Sequence, residues 1–433
     1  MENMEFSKKV EMLQEENRRL RVAVEELSVL NDIAIAVTST QELENIVDLI
    51  VQKCVKHLKV EQGVVMLLDE KDNQNPFRTM VRKQDTVADI LPYRLDTQLT
   101  GWMLKHQTPL LVNNFHNDER FKGISETESH IRSLLSVPML LKGKMIGLLT
   151  VFNKRSESNF TPEDQRLLAI ISAQSAQVIE NARLYKREQD YVRFQEEMRL
   201  AGEIQVNLLP KVEPEIPGYQ IAGRSIPAKD VGGDYFDFIP IEDDRLAFCL
   251  GDVSGKGMPA AMLMANVQAT LRGITSPSIT SKACIERSNT LLHKSTDPQK
   301  FVTLFYGILN TQTNELCYCN AGHDNPFLLN SDGKVKRLQT GGIVLGFVPQ
   351  FTFAEEKIPF QKGDLLVLYS DGITEAMNAK EEEFGEKGLE ELIMAYRKES
   401  ANRIIEKILE TIETHVGNVP QMDDMTMVVL KRS

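Results

Sequence analysis

Aspartates stand where several apolar runs end. Asp252 closes Leu246-Ala247-Phe248-Cys249-Leu250 within Gly251-Asp252-Val253-Ser254-Gly255-Lys256-Gly257, and Asp371 follows Leu365-Leu366-Val367-Leu368-Tyr369 in Ser370-Asp371-Gly372. Asp423-Asp424 precede Met425-Thr426-Met427-Val428-Val429-Leu430, and Asp234 follows Gly232-Gly233. Any one of them, taken alone, reads as a turn or helix-cap residue. A buried carboxylate is costly without a cation or donors to neutralise it. If these sites converge, they form a multi-carboxylate cage. Oxygen-only ligation, without nearby Cys or a His pair, favours Mg²⁺ or Mn²⁺ over zinc.

Two other motifs are excluded, one by spacing and one by residue identity. Gly251 to Gly257 looks like a phosphate loop, but that loop needs four residues between its glycines and Ser or Thr after Lys. Here three residues intervene and Gly257 follows the lysine. Gly232-Gly233-Asp234-Tyr235-Phe236 looks like the GGDEF signature of nucleotide cyclases, but Tyr235 stands at its acidic position.

Strands and helices must bring the aspartates together. Pro210, Pro214 and Pro217-Gly218 open the segment that carries them. Its short apolar runs, with Phe301 to Tyr306 among them, alternate with predicted helices at 258–272, 281–294, 387–397 and 400–415. That order suggests an α+β layered fold. Upstream, 41–58 places Leu43, Ile46, Val47, Ile50 and Val51 on one helical stripe. Val64 to Leu68 reads as a buried strand ending at a turn around Asp69 to Asn75. Ser136 to Leu141 and Met145 to Val151 read as a hairpin about Lys142-Gly143-Lys144. Thr161-Pro162-Glu163-Asp164 starts a helix with a Thr cap, Pro in the first turn and acids at the positive dipole end. It runs to about Leu209. Leu168, Ile171, Val178, Ala182, Tyr185 and Val192 keep heptad spacing along it, and the phase then slips to Phe194, Met198 and Ala201. An opening heptad puts Phe6, Leu13, Leu20 and Leu27 at d and Val10, Asn17, Val24 and Asn31 at a, a pattern for a parallel two-stranded coil.

The chain has 433 residues, 42% of them apolar, enough for two or three domains. Its 62 acidic against 50 basic side chains, a net −12, argue against nucleic acid or an anionic membrane as partner. No apolar run approaches the roughly 20 residues of a membrane span. The first residues lack a secretory pattern. The cysteines Cys54, Cys249, Cys284, Cys317 and Cys319 form no CxxC pair, which predicts a reducing, cytoplasmic setting.

Residues of roughly 30–185 resemble a GAF sensory domain. The resemblance rests on Ser136-Val137-Pro138-Met139, Gly147-Leu148-Leu149-Thr150-Val151 and Phe160-Thr161-Pro162-Glu163-Asp164 with the helix after it. Asn153-Lys154, Phe160 and Glu163-Asp164 are faintly similar to the motif of cyclic-nucleotide-binding GAF domains, with the acids out of its usual spacing. Trp102, His106 and His116 are candidate pocket residues, weighed against core or surface roles.

Residues 195 to 433 resemble the SpoIIE-type branch of the metal-dependent PPM (protein phosphatase 2C-like) serine/threonine phosphatases. The matching pieces are Ala201-Gly202-Glu203-Ile204-Gln205 with Leu208-Leu209-Pro210, Pro227-Ala228, and Val231 to Asp237. Gly251 to Gly257 with Pro259-Ala260-Ala261, Asn320-Ala321-Gly322-His323, Ser370 to Ala376, and Asp423-Asp424-Met425-Thr426 complete them. The resemblance implies an α+β multidomain chain: a coiled-coil helix (1–31), a GAF α/β sandwich with an antiparallel sheet (32–160), a coiled-coil linker helix (161–209) and an αββα phosphatase domain (210–433). It implies that Asp234 and Asp252 hold a binuclear centre of two Mn²⁺ or Mg²⁺ ions, assisted by the Val253 carbonyl and completed by Asp371 and one of Asp423 and Asp424. Such a centre activates water at neutral pH and neutralises phosphoryl oxygens.

The eukaryotic members carry a His just after the second-motif Asp. This chain has Val253-Ser254 there, so the general acid is open: His323 is a weak candidate for it, weighed against holding a turn beside the site, and Lys256 is a candidate phosphate sensor, weighed against an exposed loop lysine. The implied substrate is a phosphorylated STAS-domain anti-sigma factor antagonist in a partner-switching pathway. The implied assembly is a homodimer through the coils, with a small-molecule or protein signal at the GAF domain acting through a regulatory linker at Phe194, Met198, Ala201 and Leu208. The rival readings are a catalytically silent module that sequesters a regulator, and a GGDEF-like cyclase.

Overall fold

The computed structural model describes residues 2–39, 42–68, 77–83, 97–115, 117–121, 131–155, 158–242, 244–297 and 299–433. The expected turn at Asp69 to Asn75 and the candidate His116 lie outside them. The chain divides into two compact units, Met1–Tyr191 and Val192–Ser433.

The first unit opens with α1 (Glu2–Ser39) and α2 (Leu43–Leu58), followed by β1 (Val60–Leu68), β2 (Phe77–Lys83), α3 (Thr97–His106), β3 (Leu110–Val112), β4 (Leu134–Leu141) and β5 (Lys144–Lys154). The strands form one antiparallel sheet in the order β2-β1-β5-β4-β3. The β4–β5 hairpin turns through Lys142 and Gly143, both at positive φ, as a two-residue hairpin requires. Helix α4 (Pro162–Val206) begins at a capping box: the Asp164 N–H donates to Thr161 Oγ1 at 3.2 Å and the Thr161 N–H to Asp164 Oδ2 at 2.9 Å.

One part of the expected coil is corrected here. Leu168 and Ile171 of α4 are buried with Ile46, Ile50, Leu149 and Val151 against the sheet. Heptad spacing marks an apolar stripe but not its partner, and the sheet is the partner available. Beyond this core, Leu184, Tyr185, Tyr191 and Val192 are exposed, as are Phe6, Leu13, Leu20, Val24 and Leu27 of α1.

In the second unit, β6 (Tyr219–Ile226), β7 (Tyr235–Glu242), β8 (Arg245–Val253), α5 (Met258–Ile274) and α6 (Ser281–Ser295) are followed by β9 (Val302–Asn310), β10 (Glu315–Ala321), β11 (Phe327–Leu329) and β12 (Val335–Arg337). Then come β13 (Gly341–Gly342), β14 (Glu356–Pro359), β15 (Leu365–Tyr369), α7 (Asp371–Thr374), α8 (Gly385–Tyr396), α9 (Ala401–Val416) and β16 (Met425–Arg432). One sheet runs β13-β10-β9-β8-β7 with β14 beside β10, and another runs β12-β11-β15-β16-β6. Phe236, Phe248, Leu250 and Phe305 of the first sheet pack with Leu366, Leu368, Val428 and Leu430 of the second in one buried cluster. Met264, Val267 and Ile285 from α5 and α6 bury against the first sheet, and Ile393, Ile404 and Ile408 from α8 and α9 against the second. Among the described residues, no helix is long and apolar enough to cross a membrane.

Candidate metal centre

Strand register gathers the aspartates. Tyr235 pairs with Gly251 across β7 and β8, which puts Asp234 and Asp252 at the same end of that hairpin. Tyr369 pairs with Met427 across β15 and β16, which brings Asp371 to the doublet Asp423-Asp424. Ser370 locks that corner: its Oγ donates to the Asp424 carbonyl at 3.1 Å and accepts from the Thr426 N–H at 2.9 Å.

The two ends meet through Asp424. Its Oδ1 accepts from the Ala228 N–H at 2.8 Å, and its Oδ2 from the Gly233 N–H at 2.6 Å and the Asp234 N–H at 3.4 Å. Gly232 is required here, since a Cβ on it would lie 2.3 Å from Asp424 Oδ2. Asp423 is held differently. Its Oδ2 accepts from Lys256 Nζ at 2.7 Å and its Oδ1 from the Asp424 N–H at 3.0 Å.

The electrostatics show mutual repulsion. Burial, then the charges of Asp371, Asp423 and Asp424, push Asp252 up to about 7. Burial and the charge of Asp252 raise Asp234 well above the carboxylate range, and burial with the Asp423 charge raises Asp371. Among the described residues, no group of three or more His, Cys, Asp or Glu side chains stands ready to hold a metal ion in this conformation. Asp424 accepts backbone donors on both oxygens, and Asp423 accepts from Lys256 and the Asp424 N–H. The donor chemistry fits a hard divalent cation nonetheless. Asp234 Oδ2 is buried with no hydrogen-bond partner, and such an atom needs a cation or a donor. A Cβ on Gly233 would lie 2.9 Å from the Val253 carbonyl oxygen and 3.3 Å from Asp252 Oδ1, so only glycine lets the loop lie against both.

His323 is fully buried. Its Nδ1 meets Thr303 Oγ1 at 2.9 Å, its backbone N–H donates to Asn320 Oδ1, and burial pushes the imidazole down to about 4. It is therefore neutral at pH 7 and unsuited to protonate a leaving group. Sequence reasoning carried Gln205 only as part of a motif and missed Asp324, while Lys300 lies beside the loop without reaching a carboxylate of the centre. Gln205 donates from Nε2 to the Gly232 carbonyl at 2.7 Å and accepts the Gly232 N–H at 2.9 Å. Lys300 Nζ donates to the Ser254 carbonyl at 3.2 Å. Asp324 rises to about 6 through burial and the charges of Asp371, Glu386 and Glu375. Asp324 follows the Asn320 to His323 motif directly, which was the only signal for it.

Of the linker residues, Phe194 is exposed and Met198 and Ala201 are half-buried. The Leu208 carbonyl accepts from Gln268 Nε2. In the first unit, Lys154 forms an ion pair with Asp164 and lies 5.7 Å from the Phe160 ring centre, while Glu163 faces Arg18 at 3.0 Å. Asn153, at φ 54°, turns inward to donate to Glu61 Oε2 at 2.7 Å. Trp102 and His106 stack on one another at 4.4 Å, one helical turn apart.

Two layered sheets with aspartates converging at one end have the layout of the PPM phosphatase fold, a class whose members are metal-dependent. Residues 242–433 match the SpoIIE family (stage II sporulation protein E) and residues 40–180 the GAF domain family. Two stretches of the chain thus match family models in succession, a GAF domain and then a SpoIIE domain. Protein IcfG of Synechocystis sp. is 30% identical over 264 residues, 55% of this chain and 42% of that protein. Phosphoserine phosphatase RsbU of Bacillus subtilis is 29% identical over 238 residues, 54% of this chain and 70% of that protein. The chain thus spans less than half of IcfG's length. The SiaA-PP2C domain of Pseudomonas aeruginosa superposes with a TM-score of 0.50 at 16% identity, covering 56% of this chain and 99% of that one, a likeness of fold.

Proposed function

We propose that this chain is a Mn²⁺- or Mg²⁺-dependent phosphoserine/phosphothreonine protein phosphatase whose activity is set by its GAF half. The observation that carries this reading is the buried, unpartnered Asp234 Oδ2 beside Asp252, with Asp371 and Asp423 raising the negative field around them. Asp234, Asp252, Asp371 and Asp423 would hold two cations, with the Val253 carbonyl assisting. Asp424, consumed by backbone donors, clamps the 228–234 loop in place of binding metal. Bound cations supply an acidified water and neutralise the phosphoryl oxygens of the substrate. The chain's own part is to fix the carboxylates at strand ends and to keep His323 neutral by burial, so that at pH 7 it has no extra proton to donate.

The substrate proposed is a phosphorylated STAS-domain anti-sigma factor antagonist in a partner-switching pathway, in line with the similarity to RsbU. The proposed organisation keeps the segments 1–31, 32–160, 161–209 and 210–433, in an αββα phosphatase domain and a cytoplasmic homodimer joined through the exposed stripes of α1 and α4. A small-molecule or protein signal at the GAF domain would act through Phe194, Met198, Ala201 and Leu208. The test is incubation of the full chain with the phosphorylated antagonist, with and without Mn²⁺. Phosphate release that needs Mn²⁺ and disappears in Asp252→Ala supports the reading. Stoichiometric binding without release would favour a silent sequestering module.

A further inference from the structure

Lys256 stands between two glycines that no other residue replaces easily. Gly255 has φ +103° and Gly257 φ +73°, conformations that L side chains rarely adopt. This path directs the lysine across the chain to the C-terminal doublet, where Nζ donates to Asp423 Oδ2 at 2.7 Å and to the Met422 carbonyl at 2.9 Å. Asp423 is the member of the doublet with an oxygen not spent on the 228–234 loop. Among the described residues its side-chain partner is a cation, Lys256, placed where a ligand of the centre must be free. The pair is partly open to solvent, at 54% and 38% side-chain exposure, so an ion arriving from water has access to it.

We propose that Lys256 is an exchangeable counter-ion of the metal centre, holding Asp423 in the metal-free protein and yielding that oxygen when a divalent cation binds. The inference rests on the metal-centre reading of the proposed function. Repulsion among the carboxylates is what makes such a counter-ion useful: without it, the empty cluster would splay, and with it the cluster stays assembled at the cost of weaker metal binding. Lys300 provides the internal contrast. It carries the same charge to the same loop, but bonds the Ser254 carbonyl and, among the described residues, no carboxylate.

The test is calorimetric titration of the metal-stripped full chain with Mn²⁺, for the wild type, Lys256→Met and Lys300→Met, alongside thermal melts with and without Mn²⁺. Lys256→Met is expected to bind Mn²⁺ about fivefold more tightly, the scale of losing one partly exposed ion pair. Its metal-free form should melt lower than the wild type and gain more on adding Mn²⁺, while Lys300→Met binds as the wild type does. Equal or weaker binding by Lys256→Met overturns the proposal and leaves the metal centre standing. So does equal tightening in Lys300→Met, which would reduce the effect to overall charge. Absence of Mn²⁺ binding by the wild type and both variants overturns the centre, and the counter-ion with it.

Discussion

Gln205 and the Gly232 peptide exchange two hydrogen bonds, at 2.7 and 2.9 Å, so the last turn of α4 grips the residue two positions before Asp234. Gly202, one turn earlier, permits the approach: a Cβ there would meet the Asp230 carbonyl at 2.2 Å. The end of a helix that begins in the first unit thereby touches the backbone that carries a candidate ligand.

Gln205→Ala removes both bonds without touching a carboxylate. We expect Mn²⁺-dependent hydrolysis of p-nitrophenyl phosphate to fall by about tenfold, the scale of one to two net hydrogen bonds. Gly202→Ala should act in the same direction through the clash. Wild-type turnover in both variants would disconnect α4 from the centre.

Phe194 is exposed on α4 within the second unit, at 56% of its free surface. Phe194→Asp is expected to weaken self-association in sedimentation experiments and to change phosphatase activity, with its melting temperature within a few degrees of the wild type. Met198→Ala should shift activity as well. Retained dimerisation and activity in both would remove the linker from the regulatory scheme.

The doublet should separate by phenotype. Asp424→Ala strips the acceptor from three backbone N–H groups and is expected to cost about 3 kcal/mol of folding stability, with metal present or absent. Asp423→Asn should leave the metal-free melt close to wild type and abolish the Mn²⁺ response. Denaturant titrations with and without Mn²⁺ distinguish the two, and the opposite pattern would reverse their roles.

The acidic cluster fixes a sign for pH dependence. Asp252 lies near 7 in the folded chain and near the ordinary carboxylate value when unfolded, so the native state binds the extra proton between them. Its contribution favours folding at low pH and is lost as pH rises from about 4 to about 7. Asp234 and Asp371 act in the same direction. Stabilisation by Mn²⁺ should therefore be larger at pH 8 than at pH 5 in paired thermal melts. An equal or smaller gain at pH 8 would show that the cation does not take the protons' place.

His323 has the opposite sign. Its folded value of about 4 lies below the unfolded 6.5, so its contribution is present above 6.5 and lost as pH falls toward 4. His323→Gln should flatten the metal-free stability profile between pH 4 and 6.5. It should leave the acidic limb of the activity profile in place, because a neutral buried imidazole is not the proton donor. Loss of that limb would restore His323 as the acid.

Much of this architecture was legible from local pattern. Short continuous apolar runs placed β8, β15 and β16 close to their observed spans, the Thr161 cap set the start of α4, and the aspartates stood visibly at strand ends, because these signals depend on near neighbours in sequence. What the tertiary structure alone decided is which groups those aspartates meet. Gly233 and Asp424 are 191 positions apart, yet their bond separates a clamp from a candidate ligand in a doublet whose members look alike in sequence. The same holds for Leu168 and Ile171, whose spacing suits a coil and whose burial belongs to a sheet. Periodicity states which face is apolar; only the folded chain supplies the surface against it.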